Sequence, residues 1–326
     1  MLNQINNQHN VMQFPKPILI VGNENQRGFL NKLRECQDSF VCVATKEQTL
    51  SNTIDDRKEK EFWFYDPTDR FASYVFNWIP LCEYDRQLSL ILAKSILGHK
   101  VKLVDGEFSD EYFNQKVMFL AALFAHANTL NAATPATLCS FVAGFISQNK
   151  CEPEKLLAML LHSKNEIAGQ YAKTFMSSNE GFLIELILCS VEEGLGWLKD
   201  NVRYNFTSTS LEPPNFARLR QEDISTYLDL TKSIETTPLG SIFFNLALYQ
   251  LKQARNGRSV YLFVDDLATI GQITDLTLNL QVIRAYGIGL VLAVGSLDKL
   301  EQVYGKNDAQ VIASNIFRVE TELVLA

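Results

Sequence analysis

The chain has 326 residues, 47% of them hydrophobic, with 30 basic against 37 acidic side chains and a net charge of −7. That apolar content supports a sizeable core, and the acidic balance gives no footing to a protein that holds nucleic acid by phosphate neutralisation alone. No run of about 18 apolar residues is present, which argues against a membrane-spanning helix, and the polar start without an apolar h-region reads as a frayed tail over residues 1–14 of a cytoplasmic protein. The six cysteines are scattered without a CxxC, and Cys42, Cys139 and Cys189 fall in apolar runs, so most are expected as reduced core residues. The four histidines have no metal spacing.

In chain order, Pro17 to Val21 is a short apolar strand, and Gly22, Arg27 and Gly28 follow in a turn before Phe29 and Leu30. A phosphate-binding loop would stand here. Such a loop needs G-x-x-x-x-G-K-[ST], with backbone N–H groups cradling phosphates, a Lys on the outer phosphates and a hydroxyl on Mg²⁺. The Lys and hydroxyl positions hold no Lys, Ser or Thr. This is expected to be a strand-turn-helix that has lost nucleotide, with Arg27 and Lys32 as the nearby cations. Ser39 to Ala44 is a second strand, the polar stretch Ser51 to Glu61 a solvated loop or helix face, and Phe62 to Tyr65 a third strand ending in Asp66-Pro67. Asn77 suits a turn or a cap. Tyr84 to Ile96 has the pattern of an amphipathic helix. Residues 108–200 read as helical throughout, with Thr134-Pro135 a helix start and Glu180 to Leu198 one long apolar helix. Ile224 to Leu230 is a strand, and Thr236 to Ala254 an amphipathic helix.

Val260 to Val264 is rich in β-branched and aromatic residues and ends in Asp265-Asp266, so it reads as a strand buried on both faces with two carboxylates at its carboxyl end. Ligands of open α/β sheets bind at that end. Leu276, Leu280 and Ile283 recur at helical spacing, Arg284 lies near the end of that helix, Tyr286-Gly287 breaks it, and Ile288 to Val294 is another buried strand. An apolar strand closed by two acids has the shape of a Walker B segment, whose first Asp holds Mg²⁺; it is also a common ending for an ordinary buried strand.

The longer phrase resembles the C-terminal core of the TraG/TraD-type conjugative coupling proteins, the DNA-transfer ATPases of type IV secretion systems. It carries Asp265-Asp266, the small-residue turn Ala268 to Gly271, Arg284, Tyr286-Gly287-Ile288, Gly295-Ser296 and Tyr304-Gly305. The resemblance implies a RecA-like P-loop NTPase fold: a mostly parallel sheet flanked by helices over residues 15–107 and 201–326, with an all-α domain inserted at 108–200. It assigns Asp265 to the Mg²⁺ shell, Asp266 to the family's Glu, and Arg284 to an arginine that acts on the neighbouring subunit's nucleotide. Gly22, Arg27 and Gly28 fall on the phosphate loop. Gly295 stands where the family has a γ-phosphate-sensing Gln. It further implies ATP and Mg²⁺ as ligands, held weakly or not at all, a ring-type homo- or hetero-oligomer, and relaxase, relaxosome or secretion-channel partners. DNA is a further implied partner. The expected place is the cytoplasm, at the inner membrane only through partners. Three readings stand at this point. They are a hydrolysis-deficient pseudo-ATPase that scaffolds or pairs with an active partner, an active DNA-translocating ATPase with an atypical phosphate loop, and an adaptor that binds DNA or the relaxosome through the all-α domain.

Overall fold

A computed structural model describes residues 17–22, 26–57, 61–69, 74–98, 110–130, 133–149, 153–176, 181–199, 213–232 and 238–320. Asn23 to Asn25 of the phosphate loop, the tail at 1–14 and the end of the chain beyond 320 lie outside the described residues.

Seven strands make one sheet: β1 (Ile18–Val21), β2 (Ser39–Ala44), β3 (Glu61–Tyr65), β4 (Ile224–Asp229), β5 (Val260–Val264), β6 (Ile288–Val294) and β7 (Phe317–Glu320). Their order is β3-β4-β2-β5-β6-β1-β7, and every neighbouring pair is parallel. A parallel sheet covered on both faces needs strands that are apolar throughout. Accordingly β2, β4 and β6 are buried at every position.

One face is covered by α1 (Gln26–Glu35), whose Phe29 and Leu33 pack with Phe40, Cys42, Tyr227 and Phe263. The short helix α2 (Glu47–Ser51) follows β2. The stretch read as solvated is only partly so. Thr53 and Arg57 are buried, and the Arg57 guanidinium donates to the Leu33, Arg34 and Cys36 carbonyls at the end of α1 while lying over the Phe40 ring. Composition identified charge here, but a guanidinium fork that satisfies a helix's last carbonyls is stable inside.

Between β3 and β4 the described residues form no strand, and their longer elements are α3 (Arg86–Gly98), α4 (Asp110–Ala127), α5 (Pro135–Asn149), α6 (Pro153–Leu161), α7 (Glu166–Met176) and α8 (Gly181–Leu195). The long apolar stretch after Glu180 is not one helix; it tightens to a 3₁₀ turn at Gly196–Lys199. Helix α4 is the centre of the block, packing on α3, α5, α6, α7 and α8. Thr134 Oγ1 accepts from Thr137 N at 3.1 Å, capping α5 with Pro135 in its first turn. Asn77 makes the expected turn: its Oδ1 accepts from Ile79 N and its amide donates to Ala133 O. Cys36, Cys42, Cys82 and Cys139 are buried free thiols, whereas Cys189 is exposed, because the apolar run around it faces the block with other residues.

The second face of the sheet carries α9 (Leu239–Gln253), then α10 (Leu267–Ile270), α11 (Leu276–Val282) and α12 (Leu297–Asn315). Helix α9 is not amphipathic. Every residue from Leu239 to Leu248 is buried, since it is wedged between the sheet and α3. Its polar residues are spent inside: Asn245 Nδ2 donates to Ser95 Oγ at 2.9 Å, and Ser241 Oγ donates to Gln272 O at 2.6 Å.

Candidate functional site

All strands run the same way, so their carboxyl ends line one edge of the sheet. Gly22, Thr45, Asp66, Asp265 and Gly295 each follow a strand there, and Asp229 ends one. The chain turns back at β1: β2 lies three strands away, beyond β6 and β5. That reversal leaves the crevice in which open α/β sheets take ligands.

Gly22 has φ 114°, which favours glycine, and its N–H donates to Val294 O at 2.9 Å. Gln26 begins α1, so Arg27 and Gly28 lie in its first turn, both exposed. A Cβ added at Gly28 would meet no atom within 4 Å, so packing does not demand glycine there.

Asp265 is 1% exposed and its carboxylate is fully engaged. Oδ1 accepts from Thr45 N at 2.8 Å and Thr45 Oγ1 at 2.7 Å. Oδ2 accepts from Lys46 N at 3.0 Å and Thr49 Oγ1 at 2.7 Å. An ionised carboxylate has about four lone-pair sites, and these donors fill them. Three come from the turn between β2 and α2 and the fourth, Thr49, from within α2, all on the side of β5 away from β1. Burial pushes the Asp265 carboxyl above its ordinary range, against the pull of Thr49, Thr45 and Lys46. Burial first, and then the Asp265 charge, raise the neighbouring Cys42 thiol. Asp266 is also used locally: its Oδ1 accepts from Ala268 N at 3.1 Å and caps α10.

Arg284 is on the other edge. Helix α11 ends at Val282, and Arg284 belongs to the 3₁₀ turn Ile283–Tyr286 that precedes β6, where it is exposed. Ile288 is level with Val260, the first residue of β5, and Asp265 lies five residues further on. At about 3.3 Å per residue, roughly 16 Å of strand separate the two ends. Within one chain, then, Asp265 and Asp266 are together, Gly22, Arg27 and Gly28 are together two strands away, and Arg284 joins neither group.

Three positions with no assigned role in the sequence prove central. Thr45 and Thr49 hold Asp265; the signal was a pair of Thr four apart across a helix start. Arg220, 2% exposed, gives its guanidinium to four carbonyls. Nη1 donates to Arg258 O at 2.8 Å and Gly287 O at 3.0 Å, and Nη2 to Leu251 O at 3.0 Å and Tyr286 O. It ties the end of α9 and the entry to β5 to the turn that bears Arg284. Tyr304 serves a similar end: its hydroxyl accepts from Ile273 N at 3.0 Å and donates to Gly271 O at 3.5 Å.

The comparisons follow the same lines. Residues 229–326 match the family model of the type IV secretion-system coupling protein DNA-binding domain. The bacterial conjugative coupling protein TrwBdeltaN70 with sulphate superposes at TM-score 0.61 and 16% identity, over 93% of this chain and 69% of that one. The plasmid coupling protein TrwB with ADP and Mg²⁺ gives 0.60 and 15%, over 93% and 69%. VirB4 of Thermoanaerobacter pseudethanolicus gives 0.54 and 12%, over 94% and 78%. A search of curated proteins finds no match. Over residues 229–326 the chain therefore matches the coupling-protein family that the Asp265-Asp266 strand and its sequel resemble, and over nearly its whole length it shares the fold of TrwB and VirB4.

Proposed function

We propose that this chain is a coupling-protein-like component of type IV secretion and conjugative DNA transfer that hydrolyses no nucleotide itself and scaffolds or pairs with an active partner. The observation that carries this is the saturated Asp265 carboxylate, held by Thr45, Lys46 and Thr49. Together with a phosphate turn that offers no Lys, Ser or Thr at the two positions directly after Gly28, it leaves a Mg²⁺-nucleotide without its usual ligands, so the residues present do not fit that group and no step is routed through it. In this reading Asp265 and Asp266 are retained elements of the fold, and Gly22, Arg27 and Gly28 a degenerate phosphate turn. Arg284 acts on the nucleotide of a neighbouring chain, and residues 108–200 form the inserted all-α domain. The exposure of Arg284, and its distance from the acids of its own chain, support that role. Among the described residues no helix is long and apolar enough to cross a membrane, in keeping with a cytoplasmic protein that reaches the inner membrane through partners.

Labelled ATP with Mg²⁺ tests the reading. Binding no tighter than millimolar and no turnover are expected; tight binding with turnover overturns it in favour of an atypical phosphate loop using Arg27 or Lys32. Arg284→Ala should lower the ATPase rate of the active partner, and an unchanged rate removes the trans role. The matched family's name points to DNA, so a DNA titration at two salt concentrations is the companion measurement.

A further inference from the structure

A cleft of about 380 Å³ lies between the end of α3 and the start of α4 on one side and the α10–α11 loop and α12 on the other. Small-molecule sites have volumes of roughly 300–1,000 Å³. The loop that forms its core-side wall is tied at four successive residues. The Tyr304 hydroxyl holds Gly271 O and Ile273 N. Gln272 Nε2 donates to Val303 O at 2.6 Å, and Thr274 Oγ1 lies 3.3 Å from both Ser95 Oγ and Asn245 Nδ2. The cleft is therefore formed in advance of any occupant. Asp275 comes next, at φ 53° and ψ 34°, and is the one left-handed non-glycine among the described residues. Such a backbone costs energy and persists where its surroundings impose it. Yet the exposed Asp275 carboxylate does not cap α11. Lys94, Asp275 and Asp308 all line the cleft, and among the described residues their side chains make no hydrogen bond or ion pair. A cation and two acids thus share one cleft without meeting.

We propose that this cleft binds a small zwitterion, a free amino acid or dipeptide, with its carboxylate on Lys94 and its ammonium on Asp275 and Asp308. A ligand that carries both charges gives each of these side chains a charge-assisted partner within one molecule. A ligand with one charge leaves the opposite wall unpaired. Two acids against one lysine also repel phosphate groups, and among the described residues no group of three or more side chains is placed to hold a metal ion. Asn114 and Thr277 add neutral polar groups for the rest of the ligand, and Phe113 an apolar contact. Bound there, the ligand touches α3, α4, the α10–α11 loop and α12 together, which fastens the helical block to the second face of the sheet. The proposal is separate from the nucleotide reading, since none of Gly22, Arg27, Gly28, Asp265, Asp266 and Arg284 lines the cleft.

Thermal unfolding of the full chain with each of the common amino acids and a set of glycyl dipeptides tests it, followed by calorimetric titration of those that stabilise. At least one should raise the melting temperature at about 10 mM, as a ligand of the folded state does. The amide of that compound keeps only the ammonium, and its N-acetyl form only the carboxylate. Each should bind about tenfold more weakly or worse, the loss of one charged hydrogen bond. Lys94→Gln should weaken the parent compound to the level of its amide. Asp275→Asn with Asp308→Asn should weaken it to the level of its N-acetyl form. Asparagine also accepts the left-handed conformation, and none of the three side chains is bonded, so both variants should melt as wild type does. A merely structural role would lower all three forms alike. Overturning results are no stabilising compound at about 10 mM, an amide or N-acetyl form that binds as well as its parent, or variants that keep the wild-type selectivity.

Discussion

Thr49 Oγ1 donates to the Asp265 carboxylate at 2.7 Å across 216 residues of sequence. Both groups are buried, so the bond has no water to replace it. Thr49→Val keeps the shape, removes one donor and leaves a buried oxygen short of a partner, at a cost of roughly 1–3 kcal/mol. Asp265→Asn replaces an acceptor oxygen by an NH₂ facing donors and should cost at least as much. The two changes should be non-additive, with a coupling of about 0.5–3 kcal/mol in a double-mutant cycle. Urea unfolding measures this. A stable Asp265→Asn variant with altered Mg²⁺-nucleotide binding would make Asp265 a ligand acid instead.

Gly28 lies in the first turn of α1 with open space where a Cβ would be. Gly28→Ala should stabilise the chain by about 0.5–1 kcal/mol, because glycine costs backbone entropy in a helix and nothing here repays it. Its melting temperature should rise and its response to ATP should not change. If the alanine instead abolished a measurable nucleotide affinity, the turn would still be cradling phosphate.

Arg220 is the tie-point of the Arg284 turn. Lys in its place has one ammonium for four carbonyls and cannot reproduce the fork. Both Arg220→Lys and Arg220→Met are expected to lose about 2–4 kcal/mol. Amide exchange should accelerate first at Gly287 and Ile288, whose turn loses its anchor. Gly257 belongs to the same joint: at φ 124°, an added Cβ would lie 2.4 Å from Arg220 O, so Gly257→Ala should also destabilise.

His126 is 6% exposed and its Nδ1 pairs with Ser163 Oγ at 2.9 Å, joining α4 to the turn before α7. Burial holds its pKa below the ordinary histidine value. A histidine depressed in the fold contributes stability that is complete above its unfolded value and is lost as pH falls through the folded one. The melting temperature should therefore drop from about pH 7.5 to about pH 5.5, and part of that drop should vanish in His126→Gln.

The strands were legible because a doubly covered parallel sheet requires unbroken apolar runs, and Ser39 to Ala44, Val260 to Val264 and Ile288 to Val294 have them. Helix α9 was legible as a helix but not as a buried one, since Ser241, Asn245 and Tyr249 suggested a wet face until α3 and the Gln272 loop were placed against it. Arg57 and Arg220 were illegible as interior residues. Nothing local distinguishes a surface arginine from one that collects carbonyls from three distant segments.

The sequence by itself determined the strand-turn-helix grammar, the missing Lys and hydroxyl after Gly28, and the order of phrases from Asp265 to Gly305, because these depend on residue type and spacing along the chain. The partner of each side chain was decided only by the tertiary structure. Sheet order set β2 beside β5 and β6 between β5 and β1, which brought Thr45 and Thr49 onto Asp265 and kept the phosphate turn two strands away. Parallel pairing then put Arg284 at the opposite edge from the acids it follows by fewer than twenty residues. A carboxylate's role follows from the donors within about 3 Å of it, and those come from wherever the fold carries them.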